Sequence, residues 1–372
     1  MKFRHYIGWL ILLSCLCSFV LAEAYIRLFS KHGIFTPETL KQQSLQYVPV
    51  ISRYILEAKA HDGTNSTGAN LHVNSKGYRG REFDFNKPSG ATRIVFYGGS
   101  AVFDIGNSDP NDWPHQAETL LHQKGFQNVE VINAGVPSFT TIAAMENFLT
   151  EGYRLQADYV ILYCVWNDIH YFAYDKPLLR RFDSTIKLIP LFEYQNIFDR
   201  ILCHISQLYN RLRYRYYLWK DQIGEEGRLA HEKPTDQIQK DMLAQYRISL
   251  ETFVDLVRNA GAEPILMTEA TLVNRNNIPE EKKKIRYDFQ SLTPDALVQA
   301  YEIANQIAHE VASRKKTVLI DASSELSGRN NLFNDHVHTT PAGSIALAQI
   351  TAEHIKEILT AQSKRALSQA MS

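Results

Sequence analysis

From Thr92 onward, short apolar runs alternate with longer amphipathic segments, and this alternation constrains the fold more than any other feature of the chain. Five runs have the length and apolar character of buried strands: 93–97, 129–132, 159–165, 264–267 and 317–321. Helical patterns cover roughly 112–124, 140–154, 237–260, 294–314 and 341–361. Because strands that alternate with helices form parallel sheets covered on both faces, we expect an α/β fold with a central parallel sheet of about five strands.

Candidate functional residues follow these strands. Ser100 follows the first strand after two glycines, Gly135 follows the second strand, and Asn167 follows the third. Asp335 and His338 lie three residues apart, just before the last predicted helix. Ligand sites in parallel α/β sheets lie at the carboxyl ends of the strands. A serine hydrolase needs a nucleophile, a general base, a residue that orients the base and donors for the oxyanion, and this set offers all four.

Four sequence blocks resemble, in type and in order, those of the SGNH hydrolases, also called the GDSL esterase/lipase superfamily. That family has G-D-S, then a glycine, then G-x-N-D and finally D-x-x-H. The corresponding blocks of this chain are Gly98-Gly99-Ser100, Asn133-Ala134-Gly135, Val165-Trp166-Asn167-Asp168 and Asp335-His336-Val337-His338. No block is specific alone, but all four occur in order, at predicted strand ends or before the final helix. The resemblance covers about residues 93–359.

The resemblance implies a fold and a set of residue roles. The fold would be a flavodoxin-like three-layer α/β/α sandwich. Ser100 would be the nucleophile, and His338 would take its proton and later protonate the leaving alcohol. Asp335 would hold the imidazole and stabilise its protonated form. The backbone N–H groups of Ser100 and Gly135 and the side-chain amide of Asn167 would form the oxyanion hole.

The chain departs from the family pattern at two positions. Gly99 replaces the aspartate of G-D-S, and Val165 replaces the glycine of G-x-N-D. Neither position supplies a catalytic group, so the enzyme interpretation is kept. Other interpretations of single residues stay open: Ser100 could be a helix N-cap, Asn167 could be an ordinary loop residue, and His336 could replace its neighbour as the base.

The N-terminal segment is apolar. Residues 6–22 contain no charged side chain, and this run of 17 lies between a secretory signal's apolar region (roughly 7–15) and a spanning helix (roughly 17–25). An A-x-A pattern at 22–24 fits cleavage, and the residues before Cys15 resemble a lipoprotein box. However, the apolar pattern continues to Phe29. We therefore expect an uncleaved transmembrane anchor over 1–29, with a cytoplasmic N-terminus.

The rest of the chain divides unevenly. Residues 30–90 have few apolar runs and are predicted to be a polar connector, followed by the hydrolase domain at 91–362 and a short tail at 363–372. Residues 170–236 do not fit the strand–helix alternation and are predicted to be an inserted helical lid. Within them, 210–220 is basic and aromatic, which also suits a surface that lies on anionic lipid or grips a polymer.

Composition excludes several classes of function. The chain has 40 Lys plus Arg and 40 Asp plus Glu, so it lacks the basic excess of a general nucleic-acid binder. Its four cysteines are too few for a disulfide scaffold in 372 residues and lack the paired spacing of a zinc site. Walker, H-E-x-x-H and G-x-G-x-x-G motifs do not occur. We therefore predict no metal and no cofactor.

Together these features predict a membrane-anchored serine esterase whose catalytic domain faces the periplasm or the exterior. The expected substrate is an acyl ester, with acetyl or another small acyl group on an envelope glycan or lipid. An O-acyltransferase using the same acyl-enzyme is an alternative, because the sequence does not separate water from a sugar hydroxyl as acceptor. A catalytically inactive scaffold of the same fold and a membrane-binding module are two further alternatives. The sequence leaves the oligomeric state open.

Overall fold

A computed structural model describes residues 2–29, 45–48, 53–56, 61–64, 69–174, 194–222 and 234–370. The chain divides into two compact units, a helical unit (1–45 and 182–231) and a sheet unit (46–181 and 232–372). The strands are β1 (Leu45–Val48), β2 (Arg53–Leu56), β3 (His61–Thr64), β4 (Asn70–Val73), β5 (Thr92–Gly98), β6 (Val129–Gly135), β7 (Tyr159–Tyr163), β8 (Glu263–Met267) and β9 (Val318–Ile320).

The helices of the helical unit are α1 (Lys2–Phe29), α6 (Ile197–Ile205) and α7 (Gln207–Gln222). Those of the sheet unit are α2 (Ser100–Phe103), α3 (Trp113–Gln123), α4 (Thr141–Thr150), α5 (Trp166–Ile169), α8 (Lys240–Asn259), α9 (Pro279–Lys282), α10 (Tyr287–Gln290), α11 (Pro294–Lys315), α12 (Ala322–Leu326) and α13 (Pro341–Ala370). Two 3₁₀ turns, Gly152–Leu155 and Asn330–Leu332, complete the sheet unit. The last helix runs to Ala370, so it includes most of the tail predicted at 363–372.

The central sheet confirms the predicted α/β fold. Its five strands run in the order β6-β5-β7-β8-β9, and every neighbouring pair is parallel. The five predicted strands correspond to β5 through β9, within two or three residues at each end. Numbered along the chain, the order is 2-1-3-4-5, which is the flavodoxin-like arrangement. The direction of strand addition reverses at β5, and its carboxyl end is therefore the topological switch point.

Helices cover the sheet in two groups. The α3 helix packs on α13, whereas α8 packs on both α4 and α11. Because crossovers between parallel strands are right-handed, the reversal at β5 places α3 and α4 on opposite faces. The strands between them are buried on both faces, which is why residues 94–97 form a continuous apolar run rather than an alternating one. These features give the predicted three-layer arrangement.

The segment predicted as a connector is partly built into the sheet unit. Arg79 is buried, and its guanidinium donates to Asp104 O at 2.7 Å, to Asn107 O at 2.6 Å and to Asp109 Oδ1 at 2.9 Å. It also bridges to Asn133 of β6 through the backbone. A buried guanidinium needs partners for its donors, and these carbonyls and this carboxylate supply them. Residues 69–90 therefore brace the loop that follows the first central strand.

The insertion predicted at 170–236 is described at its ends and over 194–222. There its two helices, α6 and α7, belong to the same unit as α1. The Glu23 carboxylate of α1 accepts from Ser206 Oγ at 2.9 Å and from the backbone N–H groups of Gln207 and Leu208 at 2.8 Å each. Glu23 thus caps the start of α7. The predicted lid role stays a prediction.

The predicted membrane-spanning anchor at 1–29 is not supported. In the part of the chain that the structure describes, no helix combines the length and the apolar character needed to cross a membrane.

Candidate active site

Ser100, His338 and Asp335 form a continuous hydrogen-bonded row. Ser100 begins α2 directly after β5, at the switch point of the sheet. His338 Nε2 lies 2.7 Å from Ser100 Oγ, and His338 Nδ1 lies 2.7 Å from Asp335 Oδ2. The other carboxylate oxygen of Asp335 accepts from the backbone N–H groups of Val337 at 3.0 Å and His338 at 2.9 Å. The structure therefore brings together the three residues that the sequence predicted as a triad, with the geometry of nucleophile, base and orienting carboxylate.

The electrostatics of this row favour an ionised carboxylate beside the imidazole. Burial opposes ionisation of Asp335, but its hydrogen bond to His338 and the charge of that ring hold the pKa of the carboxyl well below its usual range. All three side chains are only partly buried. An ester carbonyl could therefore approach Ser100 Oγ from solvent, while Asp335 stays charged and available to stabilise an imidazolium.

Asn167 lies beside the turn that presents the serine. Its Nδ2 donates to Phe139 O at 2.9 Å. A Cβ placed on Gly99 would come within 2.8 Å of Asn167 Nδ2 and 3.1 Å of Phe139 O. Gly99 has φ −86°, so its backbone conformation does not require glycine, but this close approach does. The side-chain amide predicted as an oxyanion donor therefore lies next to Gly99, the residue before Ser100.

Gly135, in contrast, is not placed as an oxyanion donor. Its N–H donates to Asn133 Oδ1 at 3.0 Å, and the residue lies within β6 opposite Gly98. A Cβ at Gly135 would collide with the backbone of Val102 and Phe103. The glycine therefore serves the close packing of α2 on the sheet. The assignment failed because its predicted strand stopped at residue 132, whereas β6 continues through Gly135.

A turn just beyond β6 offers a different donor. Val136 O accepts from Phe139 N at 3.1 Å, with Pro137 and Ser138 between them, and Ser138 has φ +70°. This is a type II turn, in which glycine or asparagine is usual at the position of Ser138. Ser138 is exposed, and no hydrogen bond of the described chain uses its N–H. The residue type gave no signal here, although Pro137 marks the turn.

A buried carboxylate holds the start of α5, the short helix that carries Asn167. Glu269 Oε2 accepts from Val165 N at 2.7 Å, and its Oε1 accepts from Trp166 N at 3.2 Å. Burial raises the pKa of Glu269 to about 7, although these two N–H groups oppose the increase. Glu269 follows β8 by two residues, so the rule of strand carboxyl ends could have found it.

Val165, which stands where the G-x-N-D pattern has glycine, is compatible with its place in the structure. The residue has φ −143° and ψ −43°, so its backbone does not require glycine. The following acid of the block, Asp168, accepts from Thr141 N at 3.0 Å and from Thr141 Oγ1 at 3.1 Å. Glu269 and Asp168 thus hold the start of α5 and its third residue, on either side of Asn167.

His336, the alternative base, points elsewhere. Its ring stacks on Trp166 with 3.8 Å between centroids, and its Nδ1 lies 3.7 Å from Asp335 Oδ1. Burial lowers the pKa of His336 to about 4, which keeps the ring neutral near pH 7. The histidine that reaches Ser100 is His338, as the D-x-x-H spacing predicted.

Three side chains of the site could in principle hold a metal ion. Ligand atoms of Asp335, His336 and His338 lie within 4.8 Å of one another. However, His338 already uses Nδ1 for Asp335 and Nε2 for Ser100. Metal binding would therefore break the row that links the serine to the carboxylate.

Comparisons with known proteins give similar structures but no family match. No protein-family model matches the chain, and no curated protein matches it. The acetylxylan esterase Axe2 from Geobacillus stearothermophilus is 14% identical, with 72% of this chain and 96% of that chain covered and a TM-score of 0.43. A lipase/acylhydrolase from Enterococcus faecalis is 16% identical, with 72% and 96% covered and a TM-score of 0.43. LAE5, an alpha/beta hydrolase enzyme from the metagenome of Lake Arreo, Spain, is 14% identical, with 70% and 95% covered and a TM-score of 0.42.

Proposed function

We propose that this chain is a serine esterase that hydrolyses acyl esters through an acyl-enzyme on Ser100. The observation that carries the proposal is the unbroken row from Ser100 Oγ through His338 to Asp335, with two contacts of 2.7 Å. A serine hydroxyl is a weak nucleophile until a base takes its proton, and the base needs an orienting partner. Both conditions are met at the switch point of the sheet, where parallel α/β folds bind their ligands.

The reaction follows from the positions of these groups. Ser100 Oγ attacks the ester carbonyl carbon as His338 Nε2 takes its proton, and Asp335 stabilises the imidazolium. The tetrahedral intermediate collapses, the ester C–O bond breaks, and His338 protonates the departing alcohol. Water then attacks the acyl-enzyme with His338 again as base, which releases the carboxylic acid and restores Ser100.

The negative charge on the carbonyl oxygen needs donors, and we assign three to it. They are the N–H of Ser100, the side-chain amide of Asn167 and, in place of Gly135, the N–H of Ser138. The Asn167 amide lies next to Gly99 and donates to the backbone oxygen of Phe139. Phe139 is the last residue of the turn that contains Ser138. One such donor contributes roughly 10²–10³ to the rate.

The finer parts of the function stay predictions. These are a small acyl group such as acetyl, a glycan or lipid of the cell envelope as its carrier, and a location outside the cytoplasmic membrane. Transfer of the acyl group to a sugar hydroxyl would use the same acyl-enzyme, with the hydroxyl in place of water. A comparison of hydrolysis and transfer in the presence of added sugar acceptors would separate the two activities.

The proposal is tested with Ser100→Ala in the full chain, using p-nitrophenyl acetate as substrate. We expect kcat/KM to fall by at least about 10⁴-fold, because the variant has no nucleophile to acylate. Ser313→Ala, an exposed serine on α11, is the matched control and should leave kcat/KM unchanged. The esterase assignment is wrong if the folded wild-type chain and Ser100→Ala are equally active, or equally inert, on esters of several acyl lengths.

A further inference from the structure

The α6 helix exposes an apolar face. Five apolar side chains of this nine-residue helix are between 39% and 74% exposed: Ile197, Phe198, Ile201, Leu202 and Ile205. They occupy positions i, i+1, i+4, i+5 and i+8, which lie on one side of a helix. Asp199 and Cys203, on the other side, are buried. The amphipathic pattern is therefore opposite to that of a helix on an aqueous surface.

Polar bonds inside the helical unit hold α6 in this orientation. Asp199 accepts from Arg213 Nε at 2.8 Å and from Tyr209 OH at 2.7 Å, both on α7. The Asn196 side chain caps the start of α6 by accepting from Asp199 N at 2.9 Å. Rotating the helix to bury its apolar face would break the contacts between Asp199 and α7. The apolar side of α6 therefore faces outward because its polar side is held by hydrogen bonds to α7.

The apolar face of α6 adjoins the end of α1. Arg27 of α1 donates to Ile205 O, the last residue of α6, at 2.8 Å. The last turns of α1 expose Tyr25, Leu28 and Phe29. Soluble proteins rarely expose contiguous apolar patches of more than a few hundred Å² without using them for binding. From here on, the apolar face means the five apolar residues of α6 together with Tyr25, Leu28 and Phe29 of α1.

Basic residues accompany the apolar face. Residues 194–222 contain five Lys or Arg and two Asp, and Arg200 and Arg215 are exposed. Basic side chains that flank an apolar helix face are typical of helices that lie on anionic lipid. A second copy of the chain would bring the same positive charges together at the interface, which disfavours self-association. The charge pattern therefore favours lipid as the occupant of the face.

We propose that the apolar face lies on an anionic lipid surface, with α6 parallel to the surface and Arg200 at the headgroups. Helices of this kind bury their apolar side only to the boundary between headgroups and acyl chains, so this mode of binding requires no spanning helix. The inference is independent of the esterase assignment, because none of its residues takes part in the proposed chemistry.

Hydrogen–deuterium exchange of the full chain tests the proposal at the residues concerned. The vesicles would be phosphatidylcholine with about one quarter phosphatidylglycerol, and plain phosphatidylcholine would serve for comparison. With the anionic vesicles, exchange at 197–205 should slow by about tenfold, and added salt should weaken the effect. Vesicle flotation, measured in parallel, reports whether the chain is bound at all.

A double variant and a matched control sharpen the test. Phe198→Ser with Ile201→Ser should abolish the slowing at 197–205, whereas Ile248→Ser should not. Ile248 is 61% exposed, between Ile201 at 48% and Phe198 at 74%, but it lies on α8 in the sheet unit. The proposal is overturned if the chain does not float, or if it floats without any change in exchange at α6. It is also overturned if exchange at α6 slows with protein concentration in the absence of lipid, which would identify a second copy as the occupant.

Discussion

Asp335 and His338 share their spacing and their bond length with a second pair, Asp112 and His115. In each pair the aspartate precedes the histidine by three residues, and a carboxylate oxygen lies 2.7 Å from Nδ1. The pairs differ in what lies on the far side of the ring. His338 Nε2 contacts Ser100 Oγ in a partly exposed site, whereas His115 is buried, with its ring beneath the backbone of Gly80.

The surroundings of the carboxylates differ as well. Asp112 is fully buried, accepts from Asn133 Nδ2 at 2.9 Å and lies 4.0 Å from Arg79 Nε. Burial opposes ionisation of both partners, but their mutual attraction outweighs it, which lowers the pKa of Asp112 and raises that of His115. In this pair the charged forms favour each other inside the core, at a site without access to solvent. The D-x-x-H spacing therefore specifies only the bond between aspartate and histidine. Whether that bond serves catalysis depends on what the far side of the ring contacts and on whether the site is open to solvent.

The largest expected effect is a difference in kcat/KM between variants of the two histidines. His338→Asn should lower kcat/KM for p-nitrophenyl acetate by about 10⁴-fold, because the serine loses its base. His115→Asn should leave kcat/KM within a few-fold of wild type at temperatures where the variant is folded. Steady-state kinetics alongside circular dichroism would measure both. A folded His115→Asn variant as inactive as His338→Asn would contradict the division of roles.

Substitution of the two aspartates should affect different properties, catalysis for Asp335 and stability for Asp112. Asp335→Asn should lower kcat by roughly 10³–10⁴-fold, because the imidazolium loses its charged partner. Asp112→Asn should instead lower the free energy of unfolding by about 3–5 kcal/mol, since it leaves buried cationic partners uncompensated. Denaturant unfolding and kinetics on both variants decide the matter. Equal losses of stability would mean that the two pairs are not different in kind.

Gly99 tests how closely the serine turn must approach Asn167. Gly99→Ala should lower kcat by about 10–100-fold, because the added Cβ displaces the Asn167 amide from the oxyanion. KM should change little. Gly63→Ala, where a Cβ would meet nothing within 4 Å, is the control. Unchanged kcat in Gly99→Ala would remove Asn167 from the proposed donors.

Glu269 extends the comparison to a buried carboxylate held by backbone N–H groups. Its pKa is raised from 4.5 to about 7, so between these values the folded chain holds a proton that the unfolded chain has lost. Stability from this group is therefore present at low pH and lost as pH rises towards 7, by up to about 1.4 kcal/mol per pH unit. Glu269→Gln should flatten this part of the profile of unfolding free energy against pH. An unchanged slope would show that Glu269 does not titrate there.

Local sequence patterns predicted the sheet and most of the site. Strands β5 to β8 are buried along most of their length, so their apolar runs are visible without knowledge of their neighbours. The structure brings together Ser100, His338, Asp335 and Asn167 because each follows a strand or precedes the last helix on one edge of the sheet. The order of the four sequence blocks along the chain was enough to predict that these residues meet.

Contacts between distant segments decided what the sequence missed. Gly135 is a packing glycine because α2 crosses it, and Ser138 adopts φ +70° in a turn where its residue type gives no sign of it. Glu269, just after β8, accepts from Val165 N although the two residues are 104 positions apart in the chain. A spanning anchor was predicted from an apolar run, and the described chain does not support it.

By itself, the sequence determined a parallel α/β sheet and the residues at its carboxyl edge, because periodicity and order along the chain are local properties. The order of the blocks also selected Asp335–His338 as the catalytic pair, but only the tertiary structure shows that Asp112–His115, with the same spacing and the same 2.7 Å contact, is buried. The tertiary structure also decided that α6 turns its apolar side outward, because the buried partners of Asp199 come from α7. Burial and hydrogen-bond partners are properties of the folded chain, and they separate a structural pair from a catalytic one.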